Sequence, residues 1–271
     1  MNLFCFGYGY CASEFAQQLD WQNIHKTHRA KPFTFNTLQP LAADALKLLR
    51  QATHILISIP PDDAGDIVLR HHVNDIISNK NLQWVGYLST TGVYGNHNGG
   101  WVDEYTTVSP TNQRSINRVK AEQEWLALDI PVNIYRLSGI YGSADGRNIF
   151  STIRAGKAKR IYTENQYFNR IHVDDICQVL AASIKVNDSK QIYNLADDMP
   201  APAYEVTEYA CKLLGIKPPD LKGLDDTKVS EMSRSFYQNS RRVSNDKVTK
   251  QLGVKLKHPN YKVGLKSLIK N

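Results

Sequence analysis

Apolar positions follow two alternating rhythms along the first two-thirds of the chain. Short unbroken apolar runs predict buried strands, and stripes at spacings of three and four predict helices. Asn2 to Phe6 is the first run. Cys11, Phe15 and Leu19 then recur at spacing four. Weak runs at 23–28 and 33–35 predict a second and a third strand, and LAADALKLL, from Leu41 to Leu49, is helical by composition. Ala52 to Ile59 is a β-branched run stopped by Pro60-Pro61, which cannot continue a ladder. A helix over 66–78, a strand over 84–89, a helix over about 113–128 and a strand over 132–137 follow. Ile171 to Val173 is a brief strand entering a helix with Ile176, Val179, Leu180 and Ile184 on one face. Gln191 to Leu195 is a last strand, and Tyr204 to Leu214 a helix ended by Gly215 and Pro218-Pro219.

Strands alternating with helices of this length predict βαβ units, hence an α/β fold with a doubly wound parallel sheet covered on both faces. After Gly142 the alternation becomes irregular and more basic. The expected division is a main domain of residues 1–142 plus 168–197 and a smaller lobe of 143–167 plus 198–271, with the intervening segment returning to the main sheet.

Composition narrows the class. The chain has 271 residues, 33 Lys plus Arg against 26 Asp plus Glu, and a net charge of +7. With 42% hydrophobic and 22% charged residues it is neither disordered, collagen-like nor a membrane bundle. No apolar run approaches the roughly 18 residues needed to span a bilayer. The N-terminus runs straight into an apolar strand with no charged leader, so a cytoplasmic protein without a signal peptide is expected. Cys5, Cys11, Cys177 and Cys211 form no CxxC pair and read as buried free thiols. His71-His72 and His25/His28 lack further ligands at metal spacing, so no metal site is expected. The basic residues are scattered, which suits an anionic small ligand and argues against nucleic acid.

The sharpest chemical signal is Gly7-Tyr8-Gly9-Tyr10-Cys11-Ala12, a GxGxxA turn between the first strand and the first helix. Gly7 allows the tight turn, Gly9 lets backbone approach a pyrophosphate, and Ala12 lets helix and strand pack closely. The helix N-terminus then faces the phosphate charge. About 20 residues further on, an NAD-preferring site carries an acid for the ribose hydroxyls. Here Lys26-Thr27-His28-Arg29-Ala30-Lys31 has none. Arg29, helped by Thr27 or His28, is suited to clamp a 2′-phosphate, so NADP is favoured over NAD. Asn36 is a candidate adenine contact, and Tyr10, Ile59 and Ser89 are counted with the cofactor site. The second chemical element is Ser89-Thr90-Thr91-Gly92-Val93-Tyr94-Gly95, three hydroxyls at the far end of a parallel strand, where such sheets bind ligands.

With these motifs in place the chain resembles the extended short-chain dehydrogenase/reductase family, the NAD(P)-dependent epimerase/dehydratase group. The likeness rests on GYGYCA, STTGVYG, YRLSGIYG (Tyr135 to Gly142), RIHVDDICQVL (Arg170 to Leu180) and IYNLADD (Ile192 to Asp198). It implies a Rossmann-type fold, with Thr90 as the catalytic hydroxyl and Lys120 as the lysine that bonds the nicotinamide ribose. The family's tyrosine, four residues before that lysine on the same helix face, is Ile116 here. An aliphatic chain cannot titrate, and losing a general acid/base costs about 10²–10⁴-fold. Tyr94, Tyr105 and Tyr141 lie in loops expected near the cleft, and Tyr105 is the chosen substitute. Ser115 is adjacent to Ile116 but about 100° round the helix. Asn117 donates a hydrogen bond yet carries no proton. Asp174-Asp175 reads as a helix cap. Arg147 and Asn148 in a mobile loop, with Arg154 and Arg234 in the smaller lobe, are candidates for an anionic substrate.

Two functional expectations follow. One is an NADP-dependent oxidoreductase or epimerase acting on a hydroxyl or carbonyl of a small anionic substrate such as a nucleotide sugar. The other, motivated by Ile116, is a non-catalytic NADP-binding sensor or scaffold. The resemblance also implies a possible homodimer through the 66–78 and 113–128 helices.

Overall fold

The structure is a computed structural model describing residues 1–28, 34–36, 38–144, 147–186, 188–226 and 237–269. Six parallel strands form the centre: β1 (Asn2–Phe6), β2 (Asn23–Lys26), β3 (His54–Ile57), β4 (Trp84–Thr90), β6 (Val132–Leu137) and β10 (Ile192–Leu195). Their spatial order is β10-β6-β4-β3-β1-β2. The chain crosses to one side of β1 for β2 and to the other for β3. The order therefore reverses between β1 and β3, which opens a crevice at their carboxyl ends.

Side-chain alternation along each strand builds two cores. Leu3, Cys5, Leu56, Trp84, Leu88, Tyr135 and Leu137 face α1 (Tyr10–Gln18) and α6 (Val173–Val186). Phe4, Phe6, Ile55, Ile57, Val85, Tyr87, Val132 and Ile134 face α2 (Ala43–Arg50), α3 (Ile67–Ile77) and α4 (Gln113–Ala127). These strands are buried on both faces, and that is why they read as unbroken apolar runs rather than alternating ones. Local signals set the helix starts. The Asp66 carboxylate accepts from the N–H of Val68 and Leu69, and the Asn112 side chain accepts from Ser115, each capping a helix start.

Outside the main sheet the described chain forms three parallel pairs. β5 (Trp101–Val102) pairs with β12 (Arg242–Val243), β7 (Gly139–Tyr141) with β9 (Arg170–His172), and β8 (Arg160–Tyr162) with β11 (Leu221–Gly223). A smaller core of Phe150, Ile153, Val206, Ala210, Cys211, Tyr261 and Leu265 joins α5 (Ile149–Arg154), α7 (Ala203–Leu214) and α9 (Tyr261–Ile269). Val248 of α8 (Asp246–Gln251) packs under the main sheet instead. From residue 170 the chain pairs β9 with β7, then α6 packs on the main sheet and β10 joins it. One expectation needs correction. At the expected third strand, Phe33 lies outside the described residues and Thr34 forms a lone bridge to His28. All four cysteines are free and buried. No described helix is long and apolar enough to cross a membrane.

Burial, and to a lesser degree the chain's amino terminus, pushes the His54 imidazole down to about 4. Its ring lies 4.7 Å from Trp21 and 6.2 Å from Trp84. An unfolded histidine titrates near 6.5, so between those values the unfolded chain holds a proton that the fold excludes. The contribution is complete above about 6.5 and is lost as pH falls toward about 4, with a slope approaching ~1.4 kcal/mol per pH unit. Urea unfolding at about pH 7 and about pH 5 is expected to show a smaller acid-side loss for His54→Gln than for the parent chain.

Candidate functional site

The glycine turn sits at the crevice. Gly7 has φ +82°, and a Cβ there would stand 2.8 Å from Cγ1 of Ile59, which follows β3. Any side chain would push the ends of β1 and β3 apart. The Gly7 N–H is held by the Thr27 hydroxyl at 2.9 Å, which ties the turn to the end of β2. Gly9 is exposed at the N-cap of α1 with open space around it. The first turn of α1 carries no side-chain cap and no acid. Unpaired N–H groups and the positive end of the helix therefore face an open surface, a ready place for an anion. Ala12 is fully buried beneath it. Burial raises the Cys11 thiol to about 11, and the nearby Arg147 guanidinium partly offsets the rise. Arg147 is exposed, so its charge stands free beside the start of α1. The Tyr10 hydroxyl is buried against Gly142, where a Cβ would meet it at 2.0 Å.

The end of β2 brings Lys26 and His28 to the Tyr8 ring. Lys26 Nζ lies 4.1 Å from the Tyr8 ring centroid, and the His28 ring packs edge-on at 5.6 Å. Sequence reasoning passed over Tyr8 and Lys26; the spacing of Lys26 and His28 by two residues at the end of β2 was the available signal. Arg29 lies outside the described residues. Asn36 is exposed, and its side-chain oxygen accepts from the N–H of Leu38 and Gln39 at 2.9 and 3.2 Å, a turn closed on itself.

Beyond β4 the hydroxyl loop divides into a buried half and an open half. Ser89 donates to Glu122 Oε1 at 2.5 Å. Arg136, beside Ser89 on β6, makes a 2.7 Å ion pair with Glu122 and donates to the Tyr94 hydroxyl at 2.9 Å. Tyr94 in turn donates to Asn194 Oδ1 at 2.8 Å, and the Asn194 N–H is accepted by Glu104 at 2.7 Å. Ser89, Arg136 and Asn194 thus form one row across β4, β6 and β10. The Glu122 and Arg136 side chains are 3% and 5% exposed, so each charge depends on the other.

Thr90 sits one residue past that row. Its Oγ1 accepts from the Gly92 N–H at 3.1 Å and starts a 3₁₀ turn over Thr91–Tyr94. A Cβ at Gly92 would lie 2.9 Å from Ser115 Oγ and 3.3 Å from Thr90 Oγ1. Gly92 therefore lets two hydroxyls approach its backbone closely, one from the loop and one from α4. Ile116 follows, half-buried, and Lys120 stands exposed one turn later. Asn117 donates to Asp63 at 2.8 Å, so its amide is engaged.

The other tyrosines do not assemble beside Thr90. Tyr94 is held in the buried network, and burial raises its hydroxyl, as it does for Tyr141, which packs against Gly264 with its ring edge-on to His172. Tyr105 is 84% exposed. Asn148 spends its side-chain oxygen capping α5 through Phe150, and Arg154 is exposed in the last turn of that helix. Arg234 lies outside the described residues.

No protein-family model and no curated protein matches the chain. Among solved structures, a functionally unknown conserved protein from Silicibacter pomeroyi DSS is 41% identical, with a TM-score of 0.90 over 99% of this chain and 98% of that one. The human epimerase family protein SDR39U1 (isoform 2), solved with NADPH, shares the fold at 14% identity and a TM-score of 0.77 over all of both chains. MoeE5, solved with UDP-glucose and NAD, shares it at 16% identity and a TM-score of 0.79 over 100% of this chain and 98% of that one.

Removing the carboxylate of Glu122 would strand the Arg136 guanidinium in the sheet. Glu122→Leu is expected to cost about 3–5 kcal/mol in urea unfolding, against roughly 0–1 kcal/mol for deleting the exposed partner of a surface pair such as Arg50–Asp75.

Proposed function

This chain belongs to one family with the Silicibacter pomeroyi protein and has the extended short-chain dehydrogenase/reductase fold, and from that premise we propose that it binds NADP at the glycine turn and acts as an oxidoreductase or epimerase. The observation that carries the reading is the uncapped, acid-free start of α1 beside Gly7 and Gly9 at the strand-order reversal. The residues present fit a dinucleotide there, because the space a Cβ would fill at Gly7 is closed and the space at Gly9 is open.

The backbone of the turn holds the pyrophosphate, with Arg147 adding charge from the loop beside it. Lys26 and His28 favour a 2′-phosphate at the end of β2, and no carboxylate there opposes it. Lys120 holds the nicotinamide ribose. A bound nicotinamide dinucleotide supplies hydride transfer. Thr90 hydrogen-bonds the substrate hydroxyl or carbonyl, with Ser115 on the other side of Gly92. The basic residues Arg147 and Arg154 suit an anionic substrate such as a nucleotide sugar, the class that MoeE5 holds. The small core that joins α5, α7 and α9 is the lobe that faces it. Calorimetry is expected to give saturable heat with NADPH and at least about tenfold weaker binding of NADH, about 1.4 kcal/mol. Absence of heat with both would remove the reading.

Ile116 favours a second reading, a dinucleotide-binding protein without turnover, because an aliphatic side chain supplies no proton. Ile116→Tyr separates the two when NADPH oxidation is followed over a panel of nucleotide sugars. A protein that has lost catalysis gains rate, by roughly 10²–10⁴-fold if the phenol was its one missing group. A working enzyme with its own proton path is unchanged or slowed.

A further inference from the structure

We propose that His172, Asp174 and His258 form a binding site for a divalent transition-metal ion of the zinc class. Each residue offers one ligand atom, and the three atoms lie within 4.8 Å of one another. His172 ends β9, Asp174 stands in the first turn of α6, and His258 comes from the segment that leads into α9. The sequence hides this arrangement, because the second histidine lies far along the chain from the first two ligands.

Several observations point to a ligand. The His172 and His258 side chains are 5% and 10% exposed. His172 Nε2 is buried with no hydrogen-bond partner among the described residues. Buried polar atoms are rarely left so, and a metal ion satisfies a ring nitrogen as a proton donor would. The rings stack with centroids 3.8 Å apart and planes 31° from parallel. Metal–ligand bonds of about 2.0–2.2 Å require the stack to open at one edge. Asp174 is 36% exposed, which leaves an approach from solvent and room for a water ligand.

The surroundings supply the outer support that metal-bound histidines use. Asp175, fully buried, accepts the N–H of Lys257 at 2.7 Å and of His258 at 3.1 Å. Its Oδ2 lies 3.3 Å from His258 Nδ1, near enough to orient the ring although off the hydrogen-bond axis. Tyr141 packs edge-on against His172 at 5.1 Å, and Gln18 reaches the other oxygen of Asp174 at 3.5 Å. Two imidazoles and one carboxylate suit zinc, nickel or cobalt, whereas magnesium and calcium prefer oxygen donors throughout. An ion here would clasp the start of α6 to the segment that carries α9.

The test uses the full chain, stripped with a chelator and titrated with zinc chloride near neutral pH. One equivalent is expected to bind, and the melting temperature is expected to rise with zinc but not with magnesium. Cobalt is expected to give visible absorption bands of low coordination number. His258→Ala and Asp174→Asn are each expected to weaken zinc binding at least tenfold, with circular dichroism showing that the fold is kept. Asp174 is half-exposed, so its variant stays readable even where a histidine variant unfolds. No saturable uptake by the parent chain, or unchanged affinity in Asp174→Asn, overturns the proposal. The readout needs no dinucleotide, so its failure is distinct from failure of the NADP reading.

Discussion

A guanidinium inside a parallel sheet must be answered by a carboxylate, and here that demand organises the carboxyl end of the molecule. Arg136 lies on β6 between Ser89 and Asn194 on the neighbouring strands, and Glu122 reaches it from α4. Breaking one member leaves the rest with unpaired polar atoms in a medium that does not solvate them. The network therefore fixes α4 against β4 and β6. Thr90, one residue beyond Ser89, and Lys120, two residues before Glu122, take their places from that frame.

The same frame accounts for the division of labour among hydroxyls. Ser89 and Tyr94 are consumed by the network and support their neighbours. Thr90 and Ser115 pack close to Gly92, where a side chain would displace them. The glycine turn stands on a different support, the packing of Gly7 on Ile59 across β1 and β3. The two halves of the site are thus braced separately, one by close backbone approach and one by a buried ion pair.

Much of the fold was legible because parallel strands buried on both faces leave continuous apolar runs. Asn2–Phe6 and Val132–Leu137 were read to the residue, and α3 and α4 to within one residue at either end. The strand β9 was read to within one residue, but the pairings β5–β12 and β7–β9 were not, since strands of two or three residues carry no periodicity and their partners lie far away in the chain. In the site, GxGxxA was visible because its chemistry is local. The fate of the tyrosines was not, because burial of Tyr94 depends on Arg136 and Asn194, and that of Tyr141 on Gly264. Tyr105 looked close in sequence, yet its loop turns the ring outward.

The loop between the hydroxyl turn and α4 takes its strand partner, Arg242–Val243, from near the other end of the described chain. Arg241 donates to the Gly95 carbonyl at 2.8 Å, and Ser240 receives the N–H of Gly99 on its carbonyl at 3.1 Å. During synthesis on the ribosome the Rossmann strands can therefore pair early, while the rim of the cleft waits for late-emerging residues.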